Sequence, residues 1–153
     1  MFNRTLIPLD ESELAEAVIP YAEEIARKFG SAITLMRVVE FAVPVVPAEP
    51  AVITSVPPQV VAEALEAEVL HAEGYLANLC DRLNKDGVNA TYHIARGNPA
   101  KEIISYAKEQ SVDLIAMSTH GRSGLASLVF GSVANEVLRK AGTPILLIRL
   151  QGR

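Results

Sequence analysis

At 153 residues, half of them hydrophobic, the chain has the size of one domain and enough apolar content to fill a core between a sheet and several helices. Its formal charge of −4 argues against broad nucleic-acid or anionic-membrane binding, which needs clustered Lys and Arg, but leaves room for a small anion held by one local loop. A single cysteine, Cys80, allows no intramolecular disulfide and argues against a Cys-based zinc site, so a reduced, cytoplasmic protein is expected.

Met1–Thr5 leads straight into a strand-like run, so no signal peptide is expected, and no apolar run reaches the ~18 residues that span a bilayer. Arg4 to Leu9 reads as a buried first strand that Pro8 ends. Leu14, Val18, Tyr21, Ile25 and Phe29 form one helical face, with Ser12 as cap and Gly30 as stop. Ala32 to Val39 is a second strand. Between Phe41 and Pro58 lie five of the nine prolines, which marks residues 41–58 as a long proline-rich loop. Val61, Leu65, Val69, Ala72, Leu76, Leu79 and Leu83 then form a second helical stripe, interrupted by Gly74 and closed by Gly87. Val88 to Ile94 alternates apolar with polar, the mark of a half-exposed edge strand. Asn98-Pro99 opens a third helix with Ile103, Ile104 and Ala107 inside. Asp113 to Met117 is a short apolar strand, followed by a glycine-bearing loop, a helix with Val133, Val137 and Leu138, and a last strand from Pro144 to Ile148.

This order predicts one α/β domain over residues 1–153: an open five-stranded parallel sheet with helices on both faces. Two windings are ordinary, 3-2-1-4-5 and 2-1-3-4-5. The alternating third strand favours the first, which puts it at an edge. A ligand then sits where the winding reverses, between strands one and four, with Pro8-Leu9-Asp10 on one side and Ser118 onward on the other. The Ser118–Ser132 segment suits an anion. Gly121 and Gly131 admit close backbone approach, and Gly131-Ser132 opens a helix whose positive end faces the crevice. Ser132 can donate a hydroxyl and cap that helix, and Arg122 adds a charged donor.

On these residues the chain resembles the universal stress proteins, whose nucleotide motif is Gly, two residues, Gly, nine residues, Gly, then Ser or Thr. Gly121 and Gly131-Ser132 match its spacing, and Ser118 stands at its first glycine. Leu6-Ile7-Pro8-Leu9-Asp10, Gly97-Asn98-Pro99, Ser118 through Gly124 and Gly142 through Ile148 carry the similarity along nearly the whole chain. The resemblance implies the 3-2-1-4-5 sheet of the adenine nucleotide alpha hydrolase-like fold, and ATP with Mg²⁺ as ligand. It places Asp10 against adenine and Val38 packed on it, with Pro8 and Leu9 along the base and ribose. Ser118, Gly121, Arg122, Gly131, Ser132 and Val133 hold ribose and phosphates. It also implies a homodimer through Ile145–Ile148, a hydrophobic edge that otherwise lacks cover.

Other chemistry is missing from the sequence. There is no P-loop, no G-x-S-x-G elbow and no carboxylate pair placed for acid–base work, so an enzyme is not expected beyond slow incidental ATP hydrolysis. His71 and His93 read as solvent-facing, His120 as a residue that holds its loop, and Cys80 as a small packing residue. Two functions follow from the resemblance. One is an ATP-dependent sensor or switch in the stress response that acts on a protein partner. The other is a stress-linked interaction protein that works through its dimer surface without nucleotide.

Overall fold

The computed structural model describes residues 1–40, 57–121 and 131–151. Within them, β1 (Arg4–Pro8), β2 (Ala32–Val39), β3 (Ala90–Arg96), β4 (Leu114–Gly121) and β5 (Ile145–Gln151) form one parallel sheet in the order β3-β2-β1-β4-β5. This is the expected winding. The alternating strand β3 lies at one edge and the apolar β5 at the other. Most of the expected proline-rich loop, residues 41–56, lies outside the described residues.

Successive side chains of a strand face opposite ways, so each central strand feeds two cores. Ile7, Ile33 and Leu35 point to one face and meet Val18, Leu76 and Leu83 from α2 (Ile19–Phe29), its entry, and α3 (Pro58–Lys85). Leu6, Met36 and Ile115 point to the other and meet Ile103 and Val137 from α4 (Pro99–Glu109) and α5 (Ser132–Lys140). Asn98 caps α4, its side chain accepting the Lys101 N–H at 3.1 Å. Gly30 ends α2 with φ +68°, a left-handed turn that glycine adopts freely.

Several local expectations need correction. The first helix is two: α1 (Glu13–Glu16) and α2, separated at Ala17-Val18. Pro20 forces the break, because a continuous helix needs an N–H at that position and space where its ring lies. The inner face moves with it. Val18, Ile19, Ala22 and Ala26 are buried, whereas Tyr21 and Phe29 are about half exposed at 51% and 53%. Strands β3, β4 and β5 each reach further towards their carboxyl ends than apolar runs suggest, β4 to Gly121 and β5 to Gln151. Ser118, Thr119, His120 and Gly121 are strand because β5 pairs with them, Ser118↔Ile148 through Gly121↔Gln151. Pro58 belongs to the first turn of α3 rather than to the loop, a place where the missing N–H costs nothing. Gly74 lies on the exposed side of α3, where a Cβ would meet nothing within 4 Å among the described residues.

Cys80 is the packing residue expected. It is buried on the inner side of α3, and burial pushes its thiol from an ordinary 9.0 up to about 11. The folded chain therefore holds this proton more tightly than the unfolded chain. Its contribution to stability is complete below the unfolded value of 9.0 and is lost as pH climbs towards about 11. Chemical denaturation at pH 8 and pH 10.5 should show the wild type losing stability that a Cys80→Ala variant does not lose. Equal pH slopes in the two proteins would refute this.

Candidate nucleotide-binding crevice

Strand β4 pairs with β1 only at Thr5↔Leu114 and Leu6↔Ile115. Beyond that point β4 continues beside β5, while β1 gives way to the turn Leu9-Asp10-Glu11-Ser12 and then to α1. A cavity of about 620 Å³ opens between the diverging chains. That volume falls within the range of small-molecule sites, and its place is where ligands bind in doubly wound sheets.

Most of the expected site residues meet there. Pro8, Leu9, Asp10 and Val38 line the β1–β2 side, and Ser118 lies on β4. Gly131, Ser132 and Val133 bring in the start of α5. Gly121 is the last residue of β4, in register with Gln151, and Arg122 lies outside the described residues. The sequence reading missed the apolar floor: Leu14, Met36, Ile103 and Met117. Met36 and Met117 share the face of Val38, two strands apart, so period-two spacing from Val38 could have found Met36. The floor suits a flat aromatic base, and the polar rim suits what hangs from it.

The rim is held by specific bonds. One Asp10 carboxylate oxygen accepts the Ser12 N–H at 3.1 Å and its hydroxyl at 2.5 Å. The Ser12 oxygen in turn accepts the Ala15 N–H at 3.1 Å, the cap expected for this helix start. Asp10 thus shapes the turn and lines the cavity at once. The Ser118 hydroxyl donates to the Leu14 carbonyl, tying β4 to α1. From the far side Tyr75 donates to Glu16 at 2.8 Å. Burial first, and then the bond to Glu16, keep that phenol protonated well above its ordinary range.

The start of α5 differs from expectation in one respect. Ser132 is the first helical residue and not the cap. The cap is Gly131, in extended backbone at φ −53°, ψ 155°, and its carbonyl accepts the Asn135 N–H at 2.9 Å. No described side chain caps the helix. Gly131, Ser132 and Val133 line the crevice, so the positive end of the helix dipole and its leading N–H groups lie at its rim, an arrangement that suits an anion.

Of the histidines, His71 is exposed as expected but lies 2.9 Å from Glu11. His93 departs from its expected solvent-facing place. It is half-buried, stacked on Tyr106 of α4 with ring centroids 4.5 Å apart, because β3 is covered by α4 on that side. Among the described residues no group of three His, Cys, Asp or Glu could hold a metal ion, and no helix is long and apolar enough to cross a membrane.

The sheet order and the crevice at its reversal define the adenine nucleotide alpha hydrolase-like class of α/β fold. The chain belongs to the universal stress protein family, whose sequence model matches residues 1–149. It is 30% identical over 149 residues to the universal stress protein YxiE of Bacillus subtilis, covering 97% of this chain and all of that one. Its structure superposes on that of the hypothetical protein MJ0577 with a TM-score of 0.79 at 25% identity, covering 100% of this chain and 99% of the other. Two further universal stress proteins share the fold at 18% and 20% identity, each with a TM-score of 0.64. One was solved in complex with cAMP, the other, from Archaeoglobus fulgidus, with dAMP.

Proposed function

We propose that this protein binds ATP, with Mg²⁺, in the β1–β4 crevice and acts as a nucleotide-dependent sensor or switch in the stress response, through contact with a protein partner. The observation that carries the reading is the convergence on one cavity of an apolar floor, the Asp10 turn and the positive end of α5. Adenine lies on Val38 and Met36 beside Asp10, with Pro8 and Leu9 along the base and ribose. The phosphates lie at Gly131, Ser132 and Val133, with Gly121 and Arg122 completing the motif. The divalent ion arrives with the triphosphate, whose oxygens supply its ligands. The adenine nucleotides bound by the cAMP and dAMP relatives support this ligand class.

Binding without designed catalysis fits the residues at the crevice. Asp10 is engaged with Ser12, and among the described residues no second carboxylate is hydrogen-bonded to it for acid–base work. We place the protein in the cytoplasm, where its buried thiol suits a reducing milieu. Calorimetric titration with ATP and Mg²⁺ tests the reading: a saturable heat is expected, and no heat at millimolar ATP would sink it.

The second reading, an interaction protein that works without nucleotide, draws on Ser118. Its hydroxyl is engaged with the Leu14 carbonyl, so it adds a side chain where the family motif has glycine and gives no free donor to a ribose. Both readings use the same pairing surface. Among the described residues β5 ends the sheet with a row of backbone donors and acceptors that no further strand pairs, and Ile145–Ile148 are only half-buried. We propose that two copies pair there about a two-fold axis. Light scattering at micromolar concentration should give twice the 16.5 kDa chain mass; a monomer mass would end the proposal.

A further inference from the structure

Arg37 is the only charged residue in β2, and its side chain is only one fifth exposed (20%). The Leu9 N–H donates to the Met36 carbonyl at 2.8 Å, the last bond from the first strand to the second. The Val38 carbonyl, two residues on, points to the same side of β2, but there the chain after β1 has already turned away. Arg37 supplies a donor in its place: its Nη1 donates to the Val38 carbonyl at 2.6 Å. Its Nε lies 3.5 Å from Oε1 of Glu11, whose Oε2 is 2.9 Å from Nε2 of His71 on α3. A weaker contact, 3.7 Å to the exposed Glu68, completes the group.

Glu11 follows Asp10 directly and has φ +68°, a left-handed conformation that costs a side-chain-bearing residue free energy. Its own carboxylate, held by Arg37 and His71, provides the restraint that keeps it there. Arg37 lines the crevice together with Asp10 and Val38, and the charged group it forms with Glu11, Glu68 and His71 therefore adjoins the Asp10 turn. We infer that Arg37 is a positioning residue for the crevice: its guanidinium joins the Val38 carbonyl to Glu11 and so fixes the Asp10 turn in the orientation that lines the cavity. The fork matters more than the charge, because an ammonium group cannot span both partners in one plane. The inference rests on the nucleotide reading for its consequence in binding, but not for its effect on the turn.

Amide hydrogen exchange of the ligand-free protein and ATP titration of the same variants separate the two. In Arg37→Met and Arg37→Lys, the Ser12 and Ala15 amides, bonded to Asp10 and Ser12, should exchange about tenfold faster, with core strands unchanged. ATP affinity should fall severalfold, because a turn no longer held by the fork presents Asp10 in more than one closed orientation and only the one that lines the cavity binds. Glu11→Gln should reproduce both effects if an Arg37 variant folds poorly, and Arg27→Ala, which removes a surface pair with Glu23, should show neither. Unchanged Ser12 and Ala15 exchange in both the Arg37 and the Glu11 variants would overturn the inference. Faster exchange with undiminished ATP affinity would overturn its link to the ligand. A wild type that takes up no ATP would refute the nucleotide reading, and the exchange result would still decide the role of Arg37.

Discussion

Gly131→Val is expected to leave the melting temperature unchanged and to weaken ATP binding by about tenfold to a hundredfold, the worth of charge-assisted hydrogen bonds. The two halves of that expectation have separate causes. At φ −53°, ψ 155° the backbone is one that any L residue adopts, and a Cβ would meet nothing within 4 Å among the described residues. The fold therefore has no reason to object. A ligand does, because a branched side chain at the cap would stand where phosphate oxygens approach the first N–H groups of α5. Ser132→Ala removes one neutral donor, which is worth about 0.5–1.5 kcal/mol, so its affinity should fall less. Calorimetry on both variants checks the order. Normal binding by Gly131→Val would show that the phosphates lie elsewhere.

Leu76→Ala should cost about 2–5 kcal/mol of stability, whereas Leu65→Ala, three turns earlier on the same stripe of α3, should cost about 1 kcal/mol or less. The contrast follows from where the helix touches the sheet. Ala72, Leu76, Leu79, Cys80 and Leu83 are buried against β1, β2 and β3, and Leu76 is wholly inaccessible. Val61, Leu65 and Val69 are only half-buried, and Val60 beside them is half exposed. Only the later half of α3 removes much apolar surface from water. Denaturant titration of the two variants measures the difference directly. Similar losses would mean that the early half of the helix is packed in solution as well as the later half.

The limits of α3's contact show what a single sequence hides. Its stripe of apolar residues is continuous from Val61 to Leu83, so periodicity alone cannot say where the neighbouring sheet ends. Strand order was more legible, because the alternation around β3 pointed to an edge, although α4 partly covers the polar side that suggested it. The extent of β4 was not legible: Ser118, Thr119, His120 and Gly121 have a loop's composition and are strand through their pairing with β5. The break at Pro20 was within reach, since proline so placed interrupts any helix begun at Ser12. At the site, the glycines and Asp10 announced themselves. Met36, Ile103, Met117 and Leu14 read as ordinary core, and only the parting of β1 from β4 makes them a floor. Arg37 was the overlooked signal, a lone charge in an otherwise uncharged strand.

That parting of β1 from β4 has a consequence for how this protein can change over generations. The opening itself is made by main chain parting after Leu6 and Ile115, and rim side chains such as Asp10 shape its edge without creating it. Asp10, Gly131 and Ser132 are exposed, away from the two packed cores. Mutational drift at the rim can therefore change what the cleft accepts, or leave it accepting nothing, while the two packed cores stay intact. The cavity is inherited with the fold, and its occupant has to be selected separately.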